Sequence, residues 1–451
     1  MRGALEGPQV SLAQVLESRD QRVQDQAQWL ARGGTLVCMT LNMPGPQKRF
    51  PLADAAFRQG EILLEDRLTG GGFLLLERQE ADRPAGLEYF VRVQAAAEAV
   101  KACVLALEER PPLGRLLDID VISPEGQKIS RQQLGFPPRQ CLLCPRPAAE
   151  CARSRAHGIE AAAQKAVSLM EDYFDGQFAQ RCAAQAQRAL LHEAACAPKP
   201  GLVDGGNSGA HGDMDQFSFL NSAAVLGDYF RQAAWQGIRF EGPPEELLPR
   251  LRPLGLAAER EMLAATGGVN THKGAIFSLG ILCGGAGRLY RQGEKIRPEH
   301  LLALGGAIAA PAAEDFGREG ADTAGRRLYR QMGVWGARGQ AAAGFPGVRL
   351  ALKALEQRLA QGFGWNAACC GALCALMART EDTNLLHRGG REGLDFVRQK
   401  AAEIEGKAET EKELLSQMAD LDKLLIRRNL SPGGCADLLA AALFVRFISE
   451  R

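Results

Sequence analysis

The chain has 451 residues, 46% hydrophobic and 24% charged, with a formal net charge of +1. That is enough apolar material for two to three folded domains, and the near-neutral balance gives no electrostatic footprint for nucleic acid or an anionic membrane surface. The opening residues are polar rather than a secretory leader, and the longest apolar run, Ala275 to Leu289, is glycine-broken and too short to span a bilayer. The twelve cysteines are therefore expected to be reduced, in a cytoplasmic protein.

Ser11 to Ala31 reads as a helix with Ser11 as its N-cap. Thr35 to Leu41 is a strand-like run that ends in the rigid polar loop Asn42-Met-Pro-Gly-Pro-Gln-Lys48. A helix over Ala53–Leu68, strands at Phe73–Leu76 and Tyr89–Val93, a helix over Ala95–Glu109 and a strand at Leu116–Ile122 complete a mixed α/β domain. From Pro137 the texture turns Pro- and Arg-rich, and helical patterning resumes over Ile159–Phe174. The domain boundary is expected within Asp172–Gln180, giving domains of 1–170 and 171–451.

The strand Leu116–Ile122 carries Asp118 and Asp120. Alternation puts both carboxylates on one face, with Leu117, Ile119 and Val121 turned into the core. Two acids so close repel unless a cation lies between them. A Mg²⁺ ion holding a substrate phosphate is the economical reading, as in nucleotidyltransferases; a solvated strand face is the plain one. Nearby, Cys141-x₂-Cys144-x₆-Cys151-x₅-His157 offers four ligands of the types zinc prefers at loose spacing. A structural zinc site and a set of reduced cysteines beside a surface histidine both fit.

Beyond residue 180 the pattern is helical throughout, over Phe178–Cys196, Met214–Trp235, Ala257–Ala265, Ala275–Leu289, His300–Ala310, Val348–Leu359, Asn366–Ala378, Leu394–Ile404, Glu411–Ile426 and Ala436–Phe447. Pro243–Pro253 and Gly317–Gly347 read as irregular. Four polar clusters sit at the ends of these helices. The first is Pro198-Lys199-Pro-Gly-Leu-Val-Asp204 with Asn207 and His211-Gly-Asp213-Met-Asp215. If helical, His211 and Asp215 share a face, and Asp213 stands near the new N-terminus. The second is Ala265-Thr-Gly-Gly-Val-Asn270-Thr-His272-Lys273-Gly274, a polar glycine-rich turn feeding an apolar helix. It lacks the order of a Walker A loop. The third is Thr380-Glu-Asp382-Thr-Asn384 with Arg388-Gly-Gly390, where acids at the end of Asn366–Ala378 oppose the helix dipole and need a cation or a function. The fourth is Asn429-Leu-Ser431-Pro-Gly433-Gly434. Here Ser431 suits an N-cap, and the glycines expose first-turn N–H groups to an anion. Four helix ends of this kind can converge on one pocket for a polyphosphate nucleotide with Mg²⁺.

The motifs carry two resemblances. Asn42-Met-Pro-Gly-Pro, Pro112-Leu-Gly-Arg115-Leu-Leu-Asp-Ile-Asp-Val121 and Arg139-Gln-Cys-Leu-Leu-Cys144 with Cys151 to His157 resemble the citrate lyase holo-acyl-carrier-protein synthase family. That likeness spans about residues 8–165. It implies transfer of a phosphoribosyl-dephospho-CoA group to a serine of the citrate lyase acyl carrier protein (the γ subunit), with release of diphosphate. Asn42, Lys48 and Arg115 are then substrate contacts. The four helix-end clusters are similar to the triphosphoribosyl-dephospho-CoA synthase family over about residues 180–451. That likeness implies union of ATP with 3'-dephospho-CoA and release of adenine.

Together the resemblances imply a bifunctional transferase: an N-terminal nucleotidyltransferase-like α/β domain followed by an all-α domain. Asp213, Asp215 and Asp382 are the expected metal or base carboxylates of the second domain, with His272 as the acid for the departing adenine. Lys199, Asp204, Asn207, His211, Asn270, Lys273, Asn384, Arg388, Ser431, Gly433 and Gly434 are its expected substrate contacts. Two rival readings are a hydrolase like the ADP-ribosyl-glycohydrolases and a carrier-protein scaffold with decayed sites.

Overall fold

Alternating apolar residues in the first third build a four-stranded antiparallel sheet, which the computed structural model describes within residues 7–314 and 334–450. Its strands are β1 (Thr35–Leu41), β2 (Leu74–Arg83), β3 (Gly86–Gln94) and β4 (Leu117–Ile122), in the order β2-β3-β1-β4. The chain divides after Asp175 into two units.

In the first unit, Val37 and Met39 of β1, Val91 and Val93 of β3, and Ile119 and Val121 of β4 share one sheet face. That face packs on α2 (Pro51–Gly70) and α3 (Ala97–Glu108) through Phe57, Leu64, Val100 and Val104. The opposite face carries Leu36, Cys38, Phe90 and Ile122, covered by Trp29 of α1 (Leu12–Leu30). Ser11 caps α1 in a full capping box with Gln14. The register sets Asp118 opposite Thr40 and Asp120 opposite Cys38, so both acids lie on the α1 side. A short helix, α4 (Ala148–Ser154), precedes α5 (Ile159–Ala195). Helix α5 gives Ala163, Ala166, Val167 and Met170 to a core of the first unit, and Phe178, Cys182, Ala186 and Leu190 to that of the second.

The second unit is helical among its described residues. Its elements are α6 (Gln216–Val225), α7 (Gly227–Arg239), α8 (Leu247–Ala265), α9 (Lys273–Arg291), α10 (Pro298–Ala309), α11 (Pro311–Glu314), α12 (Gly336–Ala342), α13 (Pro346–Ala360), α14 (Trp365–Arg379), α15 (Thr383–Lys407), α16 (Glu411–Arg427) and α17 (Gly433–Ser449). Helices α9, α14 and α17 are buried almost all round, which explains their unbroken apolar composition.

Three sequence expectations change. Met214–Trp235 is two helices, α6 and α7, meeting near Leu226. Pro243–Pro253 is mostly helix, because Pro253 is accommodated inside α8. Of Gly317–Gly347, residues 317–333 lie outside the described residues, and the rest holds α12 and the start of α13.

Helices α7 and α9 meet backbone to backbone. A Cβ on Gly237 would lie 1.9 Å from the Gly284 carbonyl oxygen, and one on Gly287 would lie 2.1 Å from that of Ala234. No rotamer relieves a clash with main chain. Gly287→Ala is expected to destabilise the second unit by about 1–3 kcal/mol, read as a lower thermal midpoint. An unchanged midpoint would show that the helices separate freely.

Candidate functional sites

The sheet face under α1 forms the wall of a cavity of about 170 Å³ in the first unit. Asn42, Lys48 and Asp118 line it together, joined by Arg19 and Arg22 of α1, Arg49 and Glu88. Arg19 and Arg22 escaped sequence reasoning because the helical pattern shows only that they fall on one face of α1, not that this face crosses the sheet. Arg22 donates to the buried Glu88 at 2.8 Å. Lys48 Nζ donates to the Met43 carbonyl, and burial beside Arg19 lowers its pKa. Asp118 and Asp120 do share a face, but protein cations answer their repulsion. Asp118 Oδ1 lies 3.6 Å from Arg139 and Asp120 Oδ1 lies 2.6 Å from Lys128. Asp120 does not line the cavity. Nor does Arg115: its guanidinium donates to the carbonyls of Gln140 at 2.9 Å and Cys141 at 3.2 Å, a backbone tie where a phosphate contact is expected. Cys141, Cys144, Cys151 and His157 come together in this unit, their ligand atoms all within 4.8 Å of one another.

In the second unit one cavity of about 430 Å³ collects side chains from all four polar clusters. The first supplies His211 and Asp213, and the second Asn270, His272 and Lys273. The third supplies Asp382, Asn384 and Arg388, and the fourth Ser431, Gly433 and Gly434. Among the helices that start at this cavity are α9, α15 and α17, whose positive dipole ends face it.

The protein's own carboxylates occupy those ends. Asp382 is 1% exposed and is the N-cap of α15. Its Oδ1 accepts the N–H of Asn384 at 2.8 Å and of Leu385 at 3.2 Å. Its Oδ2 accepts the N–H of Cys435 in the first turn of α17 at 2.9 Å. One side chain thus caps two helices. Asp382 begins a helix where the sequence pattern puts it at the end of one, so the dipole favours its charge. Burial raises its pKa, and the three N–H groups pull the other way. The N-cap role expected of Ser431 is absent, since α17 has no side-chain cap from its own flank. The anion at Gly433 and Gly434 is Asp382 itself. A Cβ on Gly434 would lie 2.9 Å from Asp382 Oδ2, and one on Gly433 would lie 2.4 Å from Asn384 Nδ2.

Asp437 and Glu193 were not among the expected site residues, yet both line this cavity. Asp437 accepts a backbone hydrogen bond from Ala275 at the start of α9. Burial, then the proximity of Glu193 and Asp382, pushes its carboxyl well above the usual carboxylate range. Glu193, 2% exposed, pairs with the buried Lys199 at 2.7 Å. The available signal was one acid in the otherwise apolar first turns of α17. The Glu193 signal was weaker, at the end of α5.

Ser431 instead joins a polar string. Arg388 donates to His211 Nδ1 at 3.1 Å and to Asn429 Oδ1 at 2.9 Å, so His211 Nε2–H donates to Ser431 Oγ at 2.9 Å. Burial lowers the His211 pKa. Lys273 forms an ion pair with Glu259 at 2.9 Å, and Asn270 Oδ1 accepts the Lys273 N–H.

Four expected residues lie outside the cavity lining. Residues 211–215 are not helical, and Asp215, not Asp213, caps the next helix, α6, in a capping box with Ser218. Asp204 accepts the N–H groups of Lys199, Gly206 and Asn207, and Asn207 donates to Asp422 at 2.9 Å. With Lys199 held by Glu193, these residues brace the loop behind the cavity.

His272 is 2% exposed, shares a 2.7 Å hydrogen bond through Nδ1 with Ser222, and leaves Nε2 buried without a partner. Burial, aided by the Lys199 charge, pushes its pKa down to about 3. The imidazole is therefore neutral at pH 7 and carries no imidazolium proton for a leaving group.

The sequence model of the ATP:dephospho-CoA triphosphoribosyl transferase family matches residues 179–451, and that of the apo-citrate lyase phosphoribosyl-dephospho-CoA transferase family matches residues 10–173. Protein CitXG of Haemophilus influenzae is 35% identical over 99% of this chain and 97% of its own length. Protein CitXG of Leuconostoc mesenteroides subsp. cremoris is 33% identical over 97% of each. The 2-(5''-triphosphoribosyl)-3'-dephosphocoenzyme-A synthase of Pectobacterium atrosepticum is 43% identical over 56% of this chain and 84% of its own.

The depressed His272 pKa has a consequence for stability. Unfolding restores a value near 6.5, so below that pH the unfolded chain binds a proton the folded chain does not. This contribution to stability is lost as pH falls from about 6.5 towards 3, at about 1.4 kcal/mol per unit. His272→Gln is expected to flatten the urea-derived stability profile between pH 6.5 and pH 4 by about one proton's slope. Parallel profiles for variant and parent would contradict the neutral buried state.

Proposed function

The chain belongs to the CitXG family, and from that premise we propose how its two units divide the work. The protein is a bifunctional transferase that builds and attaches the citrate lyase prosthetic group. The second unit joins ATP to 3'-dephospho-CoA, giving 2'-(5''-triphosphoribosyl)-3'-dephospho-CoA and adenine. The first unit, in the manner of a nucleotidyltransferase, passes the phosphoribosyl-dephospho-CoA group to a serine of the apo citrate lyase acyl carrier protein and releases diphosphate. Both substrates and the carrier protein belong to a reducing cytoplasm, which suits twelve unpaired cysteines. No helix among the described residues is long and apolar enough to cross a membrane.

The observation that carries this reading is the meeting of three helix starts, each answered by a carboxylate, on one cavity of the second unit. The first reaction displaces adenine from the anomeric carbon of ATP by the ribose 2'-hydroxyl of dephospho-CoA. Its transition state resembles an oxocarbenium ion. Lys273 and Arg388 stand at the cavity wall for phosphate oxygens. The Asp382 carboxylate lines the cavity beside the exposed Asp213, which offers two oxygens. These oxygens fit Mg²⁺, which would neutralise the triphosphate. Asp437, its carboxyl pushed up by burial and then by Glu193 and Asp382, gives a proton to the departing adenine in the role the sequence pattern assigns to His272. The proton lost by the 2'-hydroxyl returns to the carboxylate cluster, so the step balances. Neutral His272 offers Nε2 as a hydrogen-bonding contact to the substrate sugar or base.

In the first unit, Asp118 stands among Arg19, Arg22, Lys48 and Arg49. That basic surround suits a substrate carrying a triphosphate, and Asp118 is the carboxylate placed to accept the serine hydroxyl's proton or to hold Mg²⁺ against the transferred phosphate.

The deciding experiment is mass spectrometry after incubation with ATP, Mg²⁺, dephospho-CoA and apo carrier protein. Asp437→Asn is expected to lower adenine release by roughly a hundredfold or more while supplied intermediate still labels the carrier protein. Asp118→Asn should do the reverse. Adenine formed without dephospho-CoA would point to a hydrolase, and equal loss of both steps in either variant would sink the division of labour.

A further inference from the structure

We propose that Cys141, Cys144, Cys151 and His157 hold one structural zinc ion, and that this ion positions the Asp118 side of the transfer site through Arg115 and Arg139. The four donor atoms lie within 4.8 Å of one another. Cys144 Sγ is 3.5 Å from Cys151 Sγ and 3.3 Å from His157 Nε2. A tetrahedral site with Zn–S of about 2.3 Å and Zn–N of about 2.0 Å sets sulfur–sulfur edges near 3.8 Å and sulfur–nitrogen edges near 3.5 Å. A disulfide would instead need about 2.05 Å between sulfurs.

The backbone is shaped for thiolates. The Leu143 N–H donates to Cys141 Sγ at 3.5 Å, two residues on from the cysteine. The Arg146 N–H stands in the same relation to Cys144. Main-chain bonds from Cys141 to Arg146 and from Ala148 to Arg139 close this turn into a knuckle, and α4 then delivers Cys151. Three cysteines and one histidine with no open ligand position make a structural site rather than a catalytic one.

The knuckle is tied to the transfer site by two arginines. Arg115 donates to the carbonyls of Gln140 and Cys141. Arg139, two residues before the first cysteine, donates to the carbonyl of Leu117 at 2.6 Å and that of Arg115 at 2.8 Å, and its other nitrogen faces Asp118 at 3.6 Å. Releasing the knuckle frees both arginines and the entry to β4. This consequence rests on the reading of the first unit as the transferase; the metal site itself does not.

The test uses the full chain. Elemental analysis of the purified protein should find one zinc per chain, and Co²⁺ substituted for it should show the visible bands of a tetrahedral thiolate site. Cys144→Ser should lose the metal. His157→Cys should keep it, and Cys103→Ser, outside the cluster, should be unaffected. Metal loss should slow labelling of the carrier protein from supplied intermediate while adenine release stays unchanged. A metal-free chain, a Cys144–Cys151 disulfide in non-reducing mass spectrometry, or an iron–sulfur absorbance would overturn the zinc assignment. One zinc per chain with labelling unaffected by its removal would overturn the positioning role alone.

Discussion

The second unit depends on one carboxylate capping two helices. Asp382 accepts N–H groups from the starts of α15 and α17, elements whose first residues are 50 positions apart in sequence. A buried carboxylate without such donors would be forced neutral or excluded from the core. With them it satisfies three backbone groups that would otherwise each cost about 1–3 kcal/mol unpaired. The same bonds fix the spacing of the two helix starts, and therefore the width of the cavity between them. Asp437 does the equivalent for α9. The dipoles hold the carboxylates, and the carboxylates face the cavity. An arrangement that looks at first like a bare anion site is thus one whose helix starts are already answered by the protein's own carboxylates.

This constraint accounts for the glycines. Gly433 and Gly434 lie where any Cβ would strike Asn384 or Asp382, and a Cβ on Gly274 would lie 2.1 Å from Asp437 Oδ2. At Gly390 the requirement is conformational: its φ of +61° breaks α15 after two turns. The glycines of these motifs therefore answer two demands, close approach of polar side chains to helix starts at Gly274, Gly433 and Gly434, and backbone conformation at Gly390. A sequence reader sees the glycines and infers room for a phosphate, whereas a carboxylate fills that room.

What could be read from sequence follows from the range of the interactions involved. Periodicity is local, so nearly every helix core and all four strands were legible, as was the Ser11 cap. Motif order made the four clusters legible as one site. The partner of each polar side chain was not. Arg115 ties down Gln140 and Cys141, Ser431 accepts from His211, and Asp120 meets Lys128; each pairing joins segments that no period relates. Two acids escape for different physical reasons. Asp215 caps its own helix because residues 211–215 never form one, and Asp437 goes unnoticed because a single acid in an apolar helix has no periodic signature.

The two units solve the problem of gathered negative charge differently, and the difference matches the chemistry asked of each. On the sheet, Asp118 and Asp120 project from a β-strand, which has almost no net dipole, so their neutralisation has to come from side chains: Arg139 and Lys128. Lys128 is 61% exposed and the Asp118 side chain 55%, so both pairs are screened by water and open at small cost, while Arg139 stays tied to the carbonyls of Arg115 and Leu117. In the helical unit neutralisation comes from backbone N–H groups, which cannot swing away. Cleaving an N-glycosidic bond needs charge fixed in advance around a short-lived cation. Phosphoryl transfer to a protein serine needs a surface that opens to a large partner, and solvent-screened side-chain pairs suit it.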